Sequence, residues 1–283
     1  MDIGIGLPAT VPGTTGGRLT EWARSAERRG FASLAVLDRL VYGNYEPLVT
    51  LAAAAAVTER VRLAATVLIA GYRGNTALLA KQLASIDRLS GGRVVAGVAA
   101  GGRPDDFAVS GTTYSDRGRR LDELIDGLRA HFGGAAVGPA PAQARIPILV
   151  GGHSPAAMRR AARLADGWIA GGSSALPYAE LASRARAEWT AAGRTEPQRM
   201  VALAYYALGP DAQERAAGYV GRYYAQAGPY AKKVLATTAT TGESVARVIE
   251  EHREAGCDEL LFFPCGNDLA QVDRLAELAC VGV

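Results

Sequence analysis

The stretch of this sequence with the clearest chemistry is Gly151-Gly152-His153-Ser154-Pro155. Adjacent glycines let backbone N–H groups approach a ligand closely, and a Ser-Pro pair is typical of the first residues of a helix. Because the first N–H groups of a helix lack partners and carry partial positive charge, the pattern predicts a turn that binds phosphate. We expect the N–H groups of Gly152 to Ser154 and the Ser154 hydroxyl to bind it. The alternative is an ordinary strand-to-helix turn with a serine cap.

Two oppositely charged side chains, Asp38 and Arg39, directly follow an apolar run. Charges at such a position need water, a partner or a ligand to solvate them, so we predict a catalytic role for both. Arg39 could pair with a substrate carboxylate or stack on a planar ring. We expect its replacement by alanine to lower turnover more than the melting temperature. A surface ion pair is the alternative interpretation.

Further candidates follow other apolar runs. Tyr72 comes after the third run and is the remaining candidate catalytic residue, whereas Gly101 and Gly102 come after the fourth, where they would let the backbone approach a ligand. Asp105 and Asp106 are expected to cap the next turn. Three tyrosines further along the chain are expected either to form a substrate wall or only to pack an insertion: Tyr223, Tyr224 and Tyr230.

Among the three histidines, His153 is the one that we assign to the site. Its place beside the glycine turn indicates a ligand contact rather than a general base. His131 ends a predicted helix and His252 lies within another, so we predict that both are on the surface.

The composition excludes several classes of protein. The formal net charge of +3 is spread over 283 residues without a block of Lys and Arg, so no nucleic-acid partner is predicted. The three cysteines, Cys257, Cys265 and Cys280, form no C-x-x-C pair, which argues against disulfides and against a metal site. We find neither a signal peptide pattern nor an apolar run long enough for a membrane, and therefore expect a cytoplasmic protein without a membrane partner.

The elements that must position these residues alternate regularly. Short β-branched runs and longer helical segments recur about eight times, which predicts a (β/α)8 barrel spanning residues 1–283 as one domain. The predicted strands are 3–7, 33–37, 62–68, 94–98, 147–150, 167–170, 201–208 and 259–263. The predicted helices begin near Leu19, Glu46, Thr76, Arg117, Ser154, Pro177, Gly242 and Asp268.

Two segments depart from this alternation. Residues 133–147 are rich in Gly, Ala and Pro and are predicted to form a surface loop. Residues 211–241 are too long for a simple crossover, so we predict extra helices inserted after the seventh strand. Insertions of this kind commonly shape an active site.

Five stretches, taken together and in this order, resemble the bacterial-luciferase-like oxidoreductases. They are AERRGFASL at 26–34, AVTERVRL at 56–63, LAKQLASIDRLSGGRV at 79–94, RGRRLDE at 117–123 and PILVGGHSP at 147–155. The resemblance extends over nearly the whole chain. It implies a (β/α)8 barrel that binds FMN or the deazaflavin coenzyme F420 at its C-terminal mouth.

The resemblance also implies roles for individual residues. Thr66 and Val67 would form a bulge with a non-prolyl cis peptide behind the flavin ring, and Gly101 and Gly102 would contact the ring or its ribityl chain. Where many deazaflavin-using members have Asp-His, this chain has Asp38-Arg39, which favours FMN.

The resulting functional prediction is an FMN-dependent monooxygenase. Because no second nucleotide-binding domain is visible, we expect reduced flavin to come from a separate flavin reductase and to react with O2 and a small-molecule substrate. The alternatives are an F420-dependent dehydrogenase or reductase on the same barrel and a non-catalytic flavin-binding barrel. We expect a homo-oligomer.

Overall fold

Eight parallel strands close into a barrel in the computed structural model, which describes residues 1–172, 174 and 176–279. Each strand pairs with the next in the sequence, and the last pairs with the first. The strands are β1 (Asp2–Gly6), β2 (Ser33–Val36), β3 (Arg62–Ile69), β4 (Val94–Ala99), β5 (Ile148–Gly151), β6 (Gly167–Ala170), β7 (Arg199–Tyr206) and β8 (Glu259–Pro264). This topology confirms the predicted (β/α)8 fold, and the strand bounds agree with the sequence prediction to within two residues.

Helices separate the strands. They are α1 (Gly16–Arg28), α2 (Pro47–Ala55), α3 (Thr76–Leu89), α4 (Pro104–Val109), α5 (Arg117–Gly133), α6 (Pro155–Leu164), α7 (Tyr178–Ala191), α8 (Ala212–Tyr223), α9 (Pro229–Thr237), α10 (Gly242–Glu254) and α11 (Ala270–Leu278). The short helix α4 was not predicted, and α8 and α9 lie in the segment 211–241 where inserted helices were expected. Within the described residues, the helices are all too short or too polar to cross a membrane.

Strand side chains alternate between two apolar layers, as the two-residue period of a strand requires. On β8, Leu260 and Phe262 pack with residues of the surrounding helices, whereas Leu261 and Phe263 point into the barrel. The inner layer continues into α8 and α9. The inserted helices therefore pack against the same apolar layer that fills the barrel.

A buried ion cluster holds the strands together at the beginning of β8. Glu259 is only 4% exposed and accepts hydrogen bonds from Ser33 at 2.5 Å, Arg62 at 3.1 Å and Arg199 at 2.6 Å. These partners come from three other strands. A buried carboxylate is tolerated only when it is paired in this way, so we assign this cluster to stability.

The loop 133–147 is largely exposed but is anchored at its far end. The buried side chain of Asp87 accepts hydrogen bonds from the backbone N–H groups of Ala142 at 2.8 Å and Gln143 at 2.9 Å. These two hydrogen bonds fix the end of the loop nearest β5 to α3, which carries Asp87.

Candidate functional site

A cavity of about 480 Å³ opens at the C-terminal ends of the strands. Enzymes with this fold have their active sites at this end of the barrel. The cavity brings together all but one of the predicted site residues: Asp38, Arg39, Thr66, Val67, Gly101, Gly102, Gly151, Gly152, His153 and Ser154. Among the described residues, no group of three or more His, Cys, Asp or Glu side chains could hold a metal ion.

The back of the cavity is formed by a bulge in β3. The peptide bond between Thr66 and Val67 is cis, as the resemblance implied, and the register with β4 shifts between Ala65 and Leu68. Val67 projects toward β5, where a Cβ atom at Gly151 would lie 2.9 Å from its Cγ1. Gly151 therefore leaves room for the bulge.

The two glycines after β4 have different reasons to be glycine. Gly101 has a φ of +85°, and a Cβ there would lie 2.5 Å from Ile69 Cγ2. A Cβ at Gly102 would meet nothing within 4 Å. Gly101 is needed for the turn, whereas Gly102 leaves backbone open toward the cavity.

The glycine turn after β5 offers a different set of donors from the one predicted. The Gly152 N–H donates to the Ile169 carbonyl at 3.2 Å, and Ser154 Oγ caps α6 by accepting from Ala157 N–H at 3.2 Å. The backbone N–H groups of His153 and Ser154 have no partner in the part of the chain that the structure describes. Of the predicted anion donors, the Gly152 N–H is therefore occupied, whereas the N–H groups of His153 and Ser154 and the Ser154 O–H have no acceptor among the described residues.

The imidazole of His153 is tied to the neighbouring strand. Its Nε2 accepts the Gly171 N–H at 2.8 Å, which leaves the ring proton on Nδ1. Burial lowers the pKa of His153 below its usual value of 6.5. The ring is therefore neutral at pH 7 and its acceptor nitrogen is occupied.

The lowered pKa of His153 predicts a loss of stability in acid. The unfolded chain binds a proton near pH 6.5 while the folded chain resists it, so stability present above that pH is lost as the pH falls. We expect the free energy of unfolding to drop less between pH 7 and pH 5 in His153→Gln than in the wild type, by about 1.4 kcal/mol for each unit of pKa difference. Urea titrations at both pH values measure this, and His131→Gln serves as the control. An equal drop in His153→Gln and the wild type would contradict the assignment.

Asp38 and Arg39 do not pair with each other. Asp38 accepts hydrogen bonds from Ile69 N–H at 3.0 Å and Arg73 Nε at 2.9 Å. Arg39 is only 8% exposed and donates to Asp106 at 3.0 Å and to Asp105 at 3.1 Å. Both side chains line the cavity, but their charges are already compensated by protein groups.

Asp106 organises the loop after β2 rather than capping its own turn. Its Oδ1 accepts the backbone N–H groups of Leu40 at 3.1 Å and Val41 at 2.7 Å, while Oδ2 binds Arg39. Asp106 is 2% exposed. The prediction that it caps the next turn is wrong, because α4 carries it toward β2.

Two other residues lie elsewhere than predicted. Tyr72 is outside the group that lines the cavity. The guanidinium carbon of Arg73 lies 5.8 Å from the centre of its ring. Burial raises its pKa, so it is a neutral phenol.

His252 was expected on the surface but is half-buried. Its ring is stacked on that of Tyr178, with 4.4 Å between the ring centres, and its Nδ1 is hydrogen-bonded to the Val248 carbonyl at 2.7 Å.

Other side chains complete the cavity. Arg103 and Arg117 line it, as do Tyr205 on β7 and the three tyrosines of the insertion, Tyr223, Tyr224 and Tyr230. The sequence pattern gave no signal for Tyr205, because an inward-facing tyrosine on a strand resembles any other core residue. Arg117 lies in the first turn of α5, and its side chain reaches the cavity from there.

Comparison with known proteins agrees with this geometry. The profile of the luciferase-like monooxygenase family matches residues 1–259. An uncharacterized protein of Mycobacterium bovis is 36% identical over 211 residues, which is 62% of this chain and 72% of that protein. The F420-dependent glucose-6-phosphate dehydrogenase of Amycolatopsis mediterranei is 31% identical over 53% of this chain and 52% of its own length.

Two further proteins extend the comparison. The FMNH(2)-dependent dimethylsulfone monooxygenase of Pseudomonas putida is 28% identical over 74% of this chain and 62% of its own length. The solved structure of an F420-dependent secondary alcohol dehydrogenase superposes with a TM-score of 0.82 at 18% identity, covering 98% of this chain and 97% of that one. The similarity to the secondary alcohol dehydrogenase concerns the fold alone.

Proposed function

The chain belongs to the luciferase-like monooxygenase family, whose members are flavin- or F420-dependent oxidoreductases, and from this premise we propose that it is an FMN-dependent monooxygenase. Reduced FMN comes from a separate flavin reductase, and the enzyme uses it with O2 to oxidise a small organic substrate. Residues 1–283 act as one domain in this proposal.

The observation that carries the proposal is the state of the acid–base groups around the cavity. Among the described residues lining it, the carboxylates are Asp38 and Asp106, and both are held by arginines. The acceptor nitrogen of His153 is occupied by a backbone N–H group. A dehydrogenase acting on an alcohol needs a base for the hydroxyl proton, whereas flavin oxygen chemistry requires mainly orientation and a dry pocket.

The residues present fit a bound FMN. The bulge at Thr66 and Val67 would support the flavin ring, and the open backbone at Gly102 would leave room for the ribityl chain. The backbone N–H groups of His153 and Ser154, which have no partner among the described residues, would hold the phosphate at the start of α6. Arg117, which lines the same cavity, adds positive charge.

Each of these protein groups has a defined task. Bound reduced flavin supplies the electrons that activate O2. The bulge orients the ring, the N–H groups at the start of α6 hold the phosphate, and the apolar side chains Ile169 and Leu203 on the cavity wall exclude water. His153 stays neutral and keeps the turn in place through the Gly171 N–H.

Oxygen uptake tests the proposal directly. The protein is mixed with FMN and a flavin reductase with NADH, with and without candidate substrates, and substrate-dependent O2 consumption with oxygenated product supports it. Substrate-dependent bleaching of F420 without O2 would instead support a dehydrogenase, the second candidate that the Amycolatopsis relative favours. Binding of FMN with neither activity across the panel would favour a non-catalytic flavin-binding barrel.

Ser154→Ala tests the phosphate site. Loss of one hydroxyl donor to a charged group is worth about 1.5 to 3 kcal/mol, so we expect FMN to bind roughly 10-fold weaker or more. Riboflavin, which lacks the phosphate, is expected to bind Ser154→Ala and the wild type equally in a fluorescence titration.

The helix cap at Ser154 calls for a matched control. Thr241 caps α10 in the same way, with its Oγ1 accepting the Ser244 N–H at 3.1 Å, and it does not belong to the residues that line the cavity. Thr241→Ala should lose a similar stability of about 1 kcal/mol and bind FMN like the wild type. Equal FMN affinity in all three proteins would place the phosphate elsewhere.

A further inference from the structure

The inserted helices and β7 give the cavity a wall made of tyrosine rings. We call Tyr205, Tyr223, Tyr224 and Tyr230, which all line the cavity, the tyrosine wall. Tyr224 packs edge-on against Tyr223 and Tyr230, with 5.0 Å and 5.5 Å between the ring centres. The hydroxyl groups of Tyr224 and Tyr205 are hydrogen-bonded, with 2.8 Å between their oxygen atoms. The rings thus hold one another in place.

Two arginines lie against this wall, but Arg39, whose guanidinium carbon is 5.9 Å from the Tyr223 ring centre, is already paired with Asp105 and Asp106. The guanidinium carbon of Arg103 is 5.0 Å from the Tyr223 ring centre and 5.2 Å from that of Tyr224. Within the described part of the chain, Arg103 has no carboxylate in salt-bridge range, in contrast to Arg39 and Arg73 in the same region. Cation–π contact orients the guanidinium and leaves its N–H donors available for an anion.

Tyr223 can add a second donor beside Arg103. Burial raises its pKa to about 12, with the charges of Arg103 and Arg39 limiting the rise, so the phenol is protonated at neutral pH. A neutral phenol next to a guanidinium favours a ligand oxygen that carries negative charge.

The position of the wall in the barrel separates it from the cofactor residues. In a closed ring of eight strands in sequential order, β7 is opposite β3. Tyr205 is on β7 and α8 follows it, whereas Thr66 and Val67 are on β3. A ring supported by the bulge would therefore face the tyrosine wall across the cavity.

We propose that the substrate is a planar aromatic molecule with an acidic oxygen, stacked on the tyrosine wall and paired with Arg103. The inference rests on the proposed function, since it takes the bulge and the glycine turn as the cofactor half of the cavity. Stacking on tyrosine selects flat rings, and the guanidinium selects a carboxylate or phenolate.

Binding of simple probes tests the substrate class without turnover. Calorimetric titration of the full chain, with and without saturating FMN, compares 2-naphthoate with its neutral analogue 2-naphthamide and with the flexible acid decanoate. We expect naphthoate to bind about 10-fold tighter or more than either, because the pairing with a charged group and the stacking each contribute.

Matched variants assign the effect to the named residues. Arg103→Gln should abolish the preference for naphthoate over naphthamide while leaving FMN affinity unchanged. Its control is Arg119→Gln, at an exposed arginine on α5, which should change neither quantity.

Tyr224→Leu should weaken the binding of naphthoate by roughly threefold to 10-fold. Two controls should leave that affinity unchanged: Tyr224→Phe, which keeps the ring, and Tyr45→Leu, at an exposed tyrosine.

The outcomes separate this inference from the proposed function. Three results would overturn the inference: equal affinity for the three probes, no binding of naphthoate, and competition of naphthoate with FMN for the same site. None of them would count against FMN as the cofactor. Selective naphthoate binding that depends on Arg103, in a protein that does not bind FMN, would support the anion site and overturn the proposed cofactor.

Discussion

Gly152→Val is expected to weaken FMN binding by about 100-fold or more, because two hydrogen bonds to a charged group, each worth about 1.5 to 3 kcal/mol, would be displaced together. Gly152 has a φ of +133°, which L side chains rarely adopt, and a Cβ there would lie 2.9 Å from the Cβ of Ala157. The turn must therefore shift against the first turn of α6. This shift moves the N–H groups of His153 and Ser154, which are the donors available to an anion.

The control for Gly152→Val must also strain the backbone, so that a general loss of stability can be told from a specific loss of FMN affinity. Gly193 also has a positive φ, +73°, but follows α7, and a Cβ there meets nothing within 4 Å. We expect Gly193→Val to lower the melting temperature while binding FMN like the wild type. If Gly152→Val retains full affinity in a fluorescence titration, the glycine turn is only a helix start.

Arg39→Ala is expected to destabilise the protein by about 3 to 5 kcal/mol and to lower the melting temperature by roughly 6 to 15 °C, because it leaves a buried charge unpaired. The stranded group is Asp106, which is 2% exposed, and it holds the loop after β2 through Leu40 and Val41. This expectation reverses the one from sequence, in which turnover would suffer more than stability.

A double-mutant cycle separates the pair from its surroundings. Asp106→Asn keeps an oxygen for the two backbone N–H groups, so Arg39→Met, Asp106→Asn and the double variant should give a coupling energy of up to about 3 kcal/mol. Arg119→Ala, which removes an exposed helical arginine with two carboxylate partners, should leave the melting temperature close to that of the wild type. A normal melting temperature with severely reduced turnover in Arg39→Ala would restore a catalytic role.

The two expected results describe two kinds of residue at one cavity. Gly152 acts through the backbone donors beside it, so its effect appears in ligand affinity. Arg39 acts through Asp106 on the shape of a loop, so its effect appears first in stability. We therefore consider Arg39 a positioning residue.

The amino-acid sequence by itself determined the barrel. Alternating apolar runs and helical segments follow from local periodicity, and they placed all eight strands to within two residues. The glycine turn at Gly151 and Gly152 was also readable, because conformational freedom and the start of a helix are local properties.

Only the tertiary structure decided which groups pair across the mouth. Asp38 and Arg39 are neighbours in sequence, yet they bind Arg73 and Asp106, which lie 35 and 67 residues away. Such partners depend on loops that meet only when the barrel closes, so no local pattern reports them. Closure of the barrel also decided the surroundings of Arg103, which has no carboxylate partner among the described residues. It lies against the tyrosine wall because helices from the opposite side of the ring cover the mouth.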